Sequence, residues 1–189
     1  MDSIDIDSYS KYFLVEEFCG DPDHAFSSFY FTKERNDDKF HFGPVWDFDL
    51  SFDNDRRLIN TSNKTEFSFN YCGSAGTTRD FINTLLRNKN IIGNIKKTWD
   101  ILCNTVLNEN VLIDFIEEKK INIKESAELN FLKWDNYEEK RNGRRRQWNM
   151  GLGRKGENFD ISVEVVKDYI RNRFESLSNL INNAISLAN

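Results

Sequence analysis

The stretch Gly43-Pro44-Val45-Trp46-Asp47-Phe48-Asp49-Leu50-Ser51-Phe52-Asp53 decides how this chain is read. Two acids, Asp47 and Asp49, flank one aromatic at the end of a strand-like run. Carboxylates so placed commonly hold a divalent metal against phosphates. Working outward, Ser28–Glu34 is aromatic and β-branched enough to form a strand. Arg35-Asn36-Asp37-Asp38 reads as a turn, since Asn and Asp side chains bond their own backbone and tolerate unusual φ. Lys39-Phe40-His41-Phe42 alternates polar and apolar residues and reads as the returning strand. A hairpin brings its open ends together. Asp23 precedes the first strand, and Asp47 and Asp49 follow the second. All three carboxylates are therefore expected at the open end, Asp23 and Asp47 within about 10 Å of each other. An isolated Asp-x-Asp is often a pair of solvated loop acids, and Asp23 in Asp21-Pro22-Asp23 can cap a turn. Here Val, Trp and Phe flank the acids, so partial burial is expected, and buried acids need partners or a metal.

The rest of the chain divides in two. Residues 1–55 carry a helix, Ser8 to Phe18, and the hairpin. That helix mixes Tyr12, Phe13, Val15 and Glu16 around its circumference, so it is expected to be buried on much of its surface. Residues 54–77 are polar and aperiodic and read as a long loop leaving the acidic cluster, either a substrate cover or a plain surface loop. From 78 onward the periodicity is helical. Thr77 or Thr78 caps a helix through Phe81, Leu85 and Leu86. A second runs from about Asn90 to Val106 with Ile91, Ile95, Trp99 and Leu102 on one side. A third runs from Asn110 to about Phe131. The last has Asp160 as N-cap and the stripe Val163, Val166, Ile170, Phe174, Leu177, Ile181, Ile185, which reads as core packing. The fold class is α+β, mostly α: a hairpin followed by a helical region within one domain, 1–189.

Composition supports this. The chain has 189 residues, 39% hydrophobic and 30% charged, with sixteen Phe and four Trp to fill a core. A net charge of −5 argues against a nucleic-acid partner. No apolar run reaches the roughly 20 residues of a membrane span. Met1-Asp2-Ser3-Ile4-Asp5 is acidic, unlike a signal-peptide start. Cys19, Cys72 and Cys103 are odd in number and widely spaced, which favours free thiols. With His24 and His41 they lack the spacing of a zinc site. Asn60-Thr61-Ser62 and Asn63-Lys64-Thr65 are glycosylation sequons that matter only in a secretory pathway. Arg144-Arg145-Arg146, followed by Trp148 and Gly151-x-Gly153-x-x-Gly156, is the basic cluster. It reads first as a solvated loop, otherwise as a contact for phosphate or an acidic peptide. The glycines do not follow a strand, as a dinucleotide fingerprint requires.

These residues together resemble the CotH kinase-like proteins (spore coat protein H and relatives). The resemblance runs through Tyr12-Phe13-Leu14-Val15-Glu16-Glu17, Asp23 with Ser27-Ser28-Phe29-Tyr30, and Gly43-Pro44-Val45-Trp46-Asp47-Phe48-Asp49. It continues through Asn130-Phe131-Leu132-Lys133-Trp134 and Val163-Glu164-Val165-Val166-Lys167 with Arg171-Asn172-Arg173. It covers nearly the whole chain in order. The central segment is specific and the helical matches are loose. The resemblance implies an atypical protein-kinase-like fold and phosphorylation of protein serine or threonine with ATP and Mg²⁺ or Mn²⁺. It implies a protein substrate and a setting at the spore coat, at the cell surface or outside the cell. By the same resemblance Asp23 is the catalytic acid that orients the substrate hydroxyl. Asp47 is the metal-binding acid, with Asp49 and Ser28 as further metal ligands.

The chain departs from the family at two places. Many members carry Asn-Asn-Tyr-Tyr where this sequence has Ser27-Ser28-Phe29-Tyr30, and a serine hydroxyl is a weaker metal ligand than an amide oxygen. In the family the ATP-binding half lies upstream of Tyr12, which only eleven residues precede here. The chain is therefore expected to match the C-terminal lobe, to bind metal weakly, and to show no robust transfer by itself. The alternative is a non-catalytic binding or surface domain of the same fold. A carboxylate-pair hydrolase would need glycosidase-like separation and a sugar cleft, to which nothing else in the sequence points.

Overall fold

The computed structural model describes residues 2–24, 26–55, 65–71, 76–133 and 159–188. Its central element is helix α1, Ile6–Cys19. Asp5 starts it by accepting the Ser8 N–H at 2.7 Å, and Gly20 ends it in the left-handed conformation, its N–H returning to the Glu16 carbonyl. Tyr9, Tyr12, Phe13, Leu14, Glu16, Glu17 and Phe18 are all buried, as the apolar residues spread around the helix led one to expect.

Four further helices follow among the described residues: α2 (Gly76–Leu86), α3 (Lys89–Cys103), α4 (Glu109–Lys133) and α5 (Phe159–Ala188). Asn88 caps α3 by accepting the N–H groups of Asn90 and Ile91 at 3.0 and 3.2 Å. One face of α3, with Ile91, Ile92, Ile95 and Trp99, enters the core against α1 and α5. The α5 stripe meets it with Ile170, Leu177 and Ile181 buried. Trp99 settles its indole N–H on Ser178 Oγ at 2.9 Å. The expected N-cap at Asp160 is corrected. The helix already includes Phe159, and Asp160 in its first turn pairs with Lys120 of α4 at 2.8 Å. Ion pairs tie α4 to α5. Lys167 is buried between Glu117 and Glu164, and Phe115 of α4 stays 54% exposed.

The hairpin forms with the expected turn. Strand β1 (Phe31–Thr32) pairs antiparallel with β2 (His41–Phe42), Phe31 opposite Phe42 and Thr32 opposite His41. Both strands are shorter than the sequence implied. Beyond this pairing, the chain before α1 takes the hydrogen bonds of Phe40, whose N–H donates to Ser3 and whose carbonyl accepts from Asp5. Phe42 carries the hairpin onto α1, its ring against Tyr9 at 4.9 Å and Tyr12 at 6.2 Å.

The reading of 54–77 as a surface loop is corrected for its described part. Phe67 and Phe69 stack on each other at 5.8 Å and lie against Phe13, and Phe69 is 0% exposed. A short 3-10 turn, Ser68–Asn70, presents them. The resulting fold is mostly helical with one small antiparallel sheet, in agreement with the α-rich α+β expectation. Among the described residues no helix is long and apolar enough to cross a membrane. Cys19 and Cys103 are free thiols. Cys72, the two sequons at Asn60 and Asn63, Trp134, the Arg144–Arg146 cluster, Trp148 and the three glycines after it lie outside the described residues.

Candidate active site at the open end of the hairpin

The site begins where α1 stops. Gly20 reverses the chain, and Asp21-Pro22-Asp23-His24 forms a turn in which the Asp21 carboxylate accepts the Asp23 N–H at 3.1 Å. The His24 ring donates from Nδ1 to the Asp21 carbonyl at 3.1 Å, since a carbonyl oxygen only accepts. The Asp23 carbonyl then receives three N–H groups, from Phe26, Ser27 and Ser28, at 2.8, 2.9 and 3.3 Å. Asp23 is half-buried on this compact turn.

Ser28 connects the turn to the far side of the hairpin. It is buried, and its hydroxyl donates to Asp47 Oδ2 at 3.4 Å, spanning 19 residues of sequence. The Gly43 N–H reaches the Tyr30 carbonyl at 3.1 Å and closes the hairpin beside this contact. The structure thus brings Ser28 and Asp47 together and ties Ser28 to the Asp23 backbone. Asp49 lies two residues on, in the 3-10 turn Phe48–Leu50, where its carbonyl accepts from Asn54 at 2.7 Å.

The expected burial of Asp47 and Asp49 is corrected: both are exposed, and so is Trp46 at 49%. The apolar flanks do not fold over the acids because the chain enters the left-handed region at Asp47, with φ 70°. Phe52 and Asp53 are left-handed too. An aspartate tolerates this conformation. For Phe52 it costs about 1–3 kcal/mol, and packing holds it there. The Phe52 N–H donates to the Cys19 carbonyl at 2.8 Å, and its ring meets Tyr169 edge-on at 5.6 Å. The buried acids of this segment are Asp53 and Asp55 instead. Their Asp-x-Asp spacing was visible in the sequence, but without the fold it could not be ranked against 47 and 49.

Sequence reasoning also missed the charged core behind the site. Glu17 and Arg173 are both fully buried, joined at 2.9 Å, and Arg173 Nε donates to the Glu17 carbonyl at 2.8 Å. The same carboxylate accepts the Ser68 and Phe69 N–H groups at 2.7 and 3.2 Å, and His24 Nε2 lies 3.8 Å away. Beside it, burial and then the nearby Asp21 push the Glu16 carboxyl up to about 9, and burial raises Asp21 as well. Burial likewise raises the Cys19 thiol to about 12, helped by Glu16 and Asp21. A carboxylate on a helix otherwise filled with aromatics was the one available signal for Glu16 and Glu17.

Among the described residues no group of three or more His, Cys, Asp or Glu is arranged to hold a metal ion. The donor set at the hairpin mouth is one exposed carboxylate with a serine hydroxyl on it, and a second acid two residues along.

Comparison with known proteins adds the missing context. The model of the CotH kinase protein family matches residues 1–177, which takes in α1, the Asp23 turn, the hairpin, the Asp47 segment and most of α5. No curated protein and no solved structure gives a significant match. By this match over almost its full length, the chain belongs to the CotH kinase protein family.

Proposed function

We propose that this chain carries the catalytic-acid and metal-binding part of a protein kinase, which moves a phosphoryl group from ATP to a serine or threonine hydroxyl. The observation that carries the reading is Ser28. Its N–H holds the Asp23 turn while its hydroxyl holds Asp47, so the two acids are fixed to one residue. In this reading Asp23 orients the attacking hydroxyl by accepting its hydrogen bond. Asp47, with Asp49 and Ser28, faces the cation. Mg²⁺ keeps several waters and takes one or two carboxylates plus substrate phosphates, so an exposed carboxylate with a hydroxyl fits it as part of a shell that nucleotide would complete. The bound ion would supply neutralisation of phosphate charge. The chain's own part is positioning, the larger share of catalysis in phosphoryl transfer.

A second reading is a binding domain that keeps the fold without the chemistry. Tyr30 and Trp46 are exposed together at the hairpin mouth, with ring centroids 5.8 Å apart. Such a surface suits a protein partner, whether substrate or scaffold. The deciding assay is transfer of labelled γ-phosphate from ATP, with Mn²⁺, to casein or to the protein itself. Transfer abolished by Asp47→Ala and by Asp23→Ala supports the kinase reading. Transfer that survives both changes removes these residues from the site, and absence of transfer together with no divalent-ion rise in melting temperature favours the binding domain.

A further inference from the structure

Glu16 and Asp21 are both buried where α1 ends; the Asp21 N–H donates to the Glu16 carbonyl at 3.1 Å, and the two carboxyl groups lie within side-chain hydrogen-bond reach of each other. Glu16 Oε2 and Asp21 Oδ2 each lack a hydrogen-bond donor. Arg173, the buried cation of this core, is bonded to Glu17. The other titratable groups facing the pair are Tyr12 and Glu17 from α1, Cys19 at its end, and Asp23 and His24 from the turn, Asp23 adding a further negative charge. Among the described residues no lysine or arginine forms an ion pair with either carboxyl. Two ionised carboxylates so placed would leave two buried acceptors unsatisfied and repelling each other. One proton between them turns one acceptor into a donor and satisfies both atoms at once, leaving a single negative charge on the pair.

We infer that Glu16 and Asp21 share one proton, and that this pair is the positioning device that holds the Asp23 turn against α1. The second part rests on Asp23 being the residue that orients the hydroxyl. Asp21 is the mechanical link: its other oxygen accepts the Asp23 N–H, its N–H donates to the Glu16 carbonyl, and its carbonyl takes the His24 ring. Fixing the Asp21 carboxyl from behind therefore fixes the backbone on which Asp23 sits. Ionising both carboxyls would push Asp21 away from α1 and loosen that turn.

The linkage has a definite sign. The folded state keeps a proton on Glu16 that the unfolded chain releases above its ordinary value of 4.5, and holds it up to about 9. The folded protein thus binds more protons across that window, and stability falls as pH rises through it. His41, raised by its hydrogen bond to Asp37, contributes a fall of the same sign, common to wild type and a Glu16 variant.

Infrared spectra of the folded protein at about pH 7, together with melting temperatures across the window, test the shared proton. The expected result is a protonated-carboxyl C=O band that disappears in Glu16→Gln, and a melting temperature that declines less steeply with pH in that variant. No such band, or parallel declines, overturns the shared proton. The positioning role is read from the Asp23 amide. Its exchange protection should drop between about pH 6 and about pH 8 in the wild type and hold in Glu16→Gln. Equal protection in both proteins overturns that role, even with the band present. Glu16→Gln supplies a permanent N–H donor in the same shape, so folding is not at stake. None of these readouts needs phosphoryl transfer. Transfer that survives Asp23→Ala and Asp47→Ala removes these residues from the kinase site and leaves the proton pair standing, whereas a missing band does the reverse.

Discussion

Asp47 and Arg173 show two opposite uses of charge in this molecule. Asp47 is exposed and left-handed, held by one long hydrogen bond from Ser28. Asparagine tolerates the same backbone region and accepts the same hydroxyl, so Asp47→Asn should leave the melting temperature of the metal-free protein nearly unchanged. A divalent ion that binds only the folded state stabilises it by about 1.4 kcal/mol at ten times its Kd. The wild type should therefore melt higher in Mn²⁺ or Mg²⁺ and Asp47→Asn should not; equal rises in both would remove Asp47 from the metal site. Arg173 is the buried counter-charge of Glu17, and Arg173→Met strands that carboxylate. The expected loss is about 3–5 kcal/mol in denaturant unfolding. The double change with Glu17→Leu should not recover it, because the Ser68 and Phe69 N–H groups then lose their acceptor. Recovery in the double variant would show that the carboxylate does not organise that turn.

At the scale of elements, the junction between α1 and α5 sets the geometry of the Asp23 turn. Gly20 has φ +65°, and a Cβ there would lie 2.4 Å from the Tyr169 hydroxyl oxygen. Gly20→Ala should destabilise by about 1–3 kcal/mol through backbone strain and overpacking. The Tyr169 hydroxyl is buried without a hydrogen-bond partner, so Tyr169→Phe by itself should be neutral or slightly stabilising. Combined, the two changes should cost less than their sum, since the clash is with the removed oxygen. Additive losses in a double-mutant cycle would place the whole cost in the backbone conformation.

At the scale of the whole molecule, α1, α2, α3, α5 and the Phe67–Phe69 segment share one hydrophobic core, to which α4 adds, among its described side chains, only partly buried apolar residues such as Leu112 and Ile116. It is tied to α5 by ion pairs through Lys167 and Lys120. Ion pairs of this partly exposed kind hold an element weakly, so α4 should open below the global unfolding transition. Hydrogen exchange should find its amides less protected than those of α1, α3 and α5, and equal protection would show that α4 belongs to the main cooperative unit. The sequence by itself determined the helical positions, the hairpin with its turn, and the membership signalled by the Gly43–Asp49 segment. Those follow from apolar period, turn chemistry and a short motif, all local properties. It did not determine that Asp47 is exposed while Asp53 and Asp55 are buried, because the difference lies in where the chain turns left-handed. Nor did it determine that Phe67 and Phe69 are core, that Glu17 meets Arg173 across 156 residues, or that Glu16 is buried beside Asp21. A carboxylate's partner is chosen by whatever the packed elements bring within hydrogen-bond reach, and only the tertiary structure decides that.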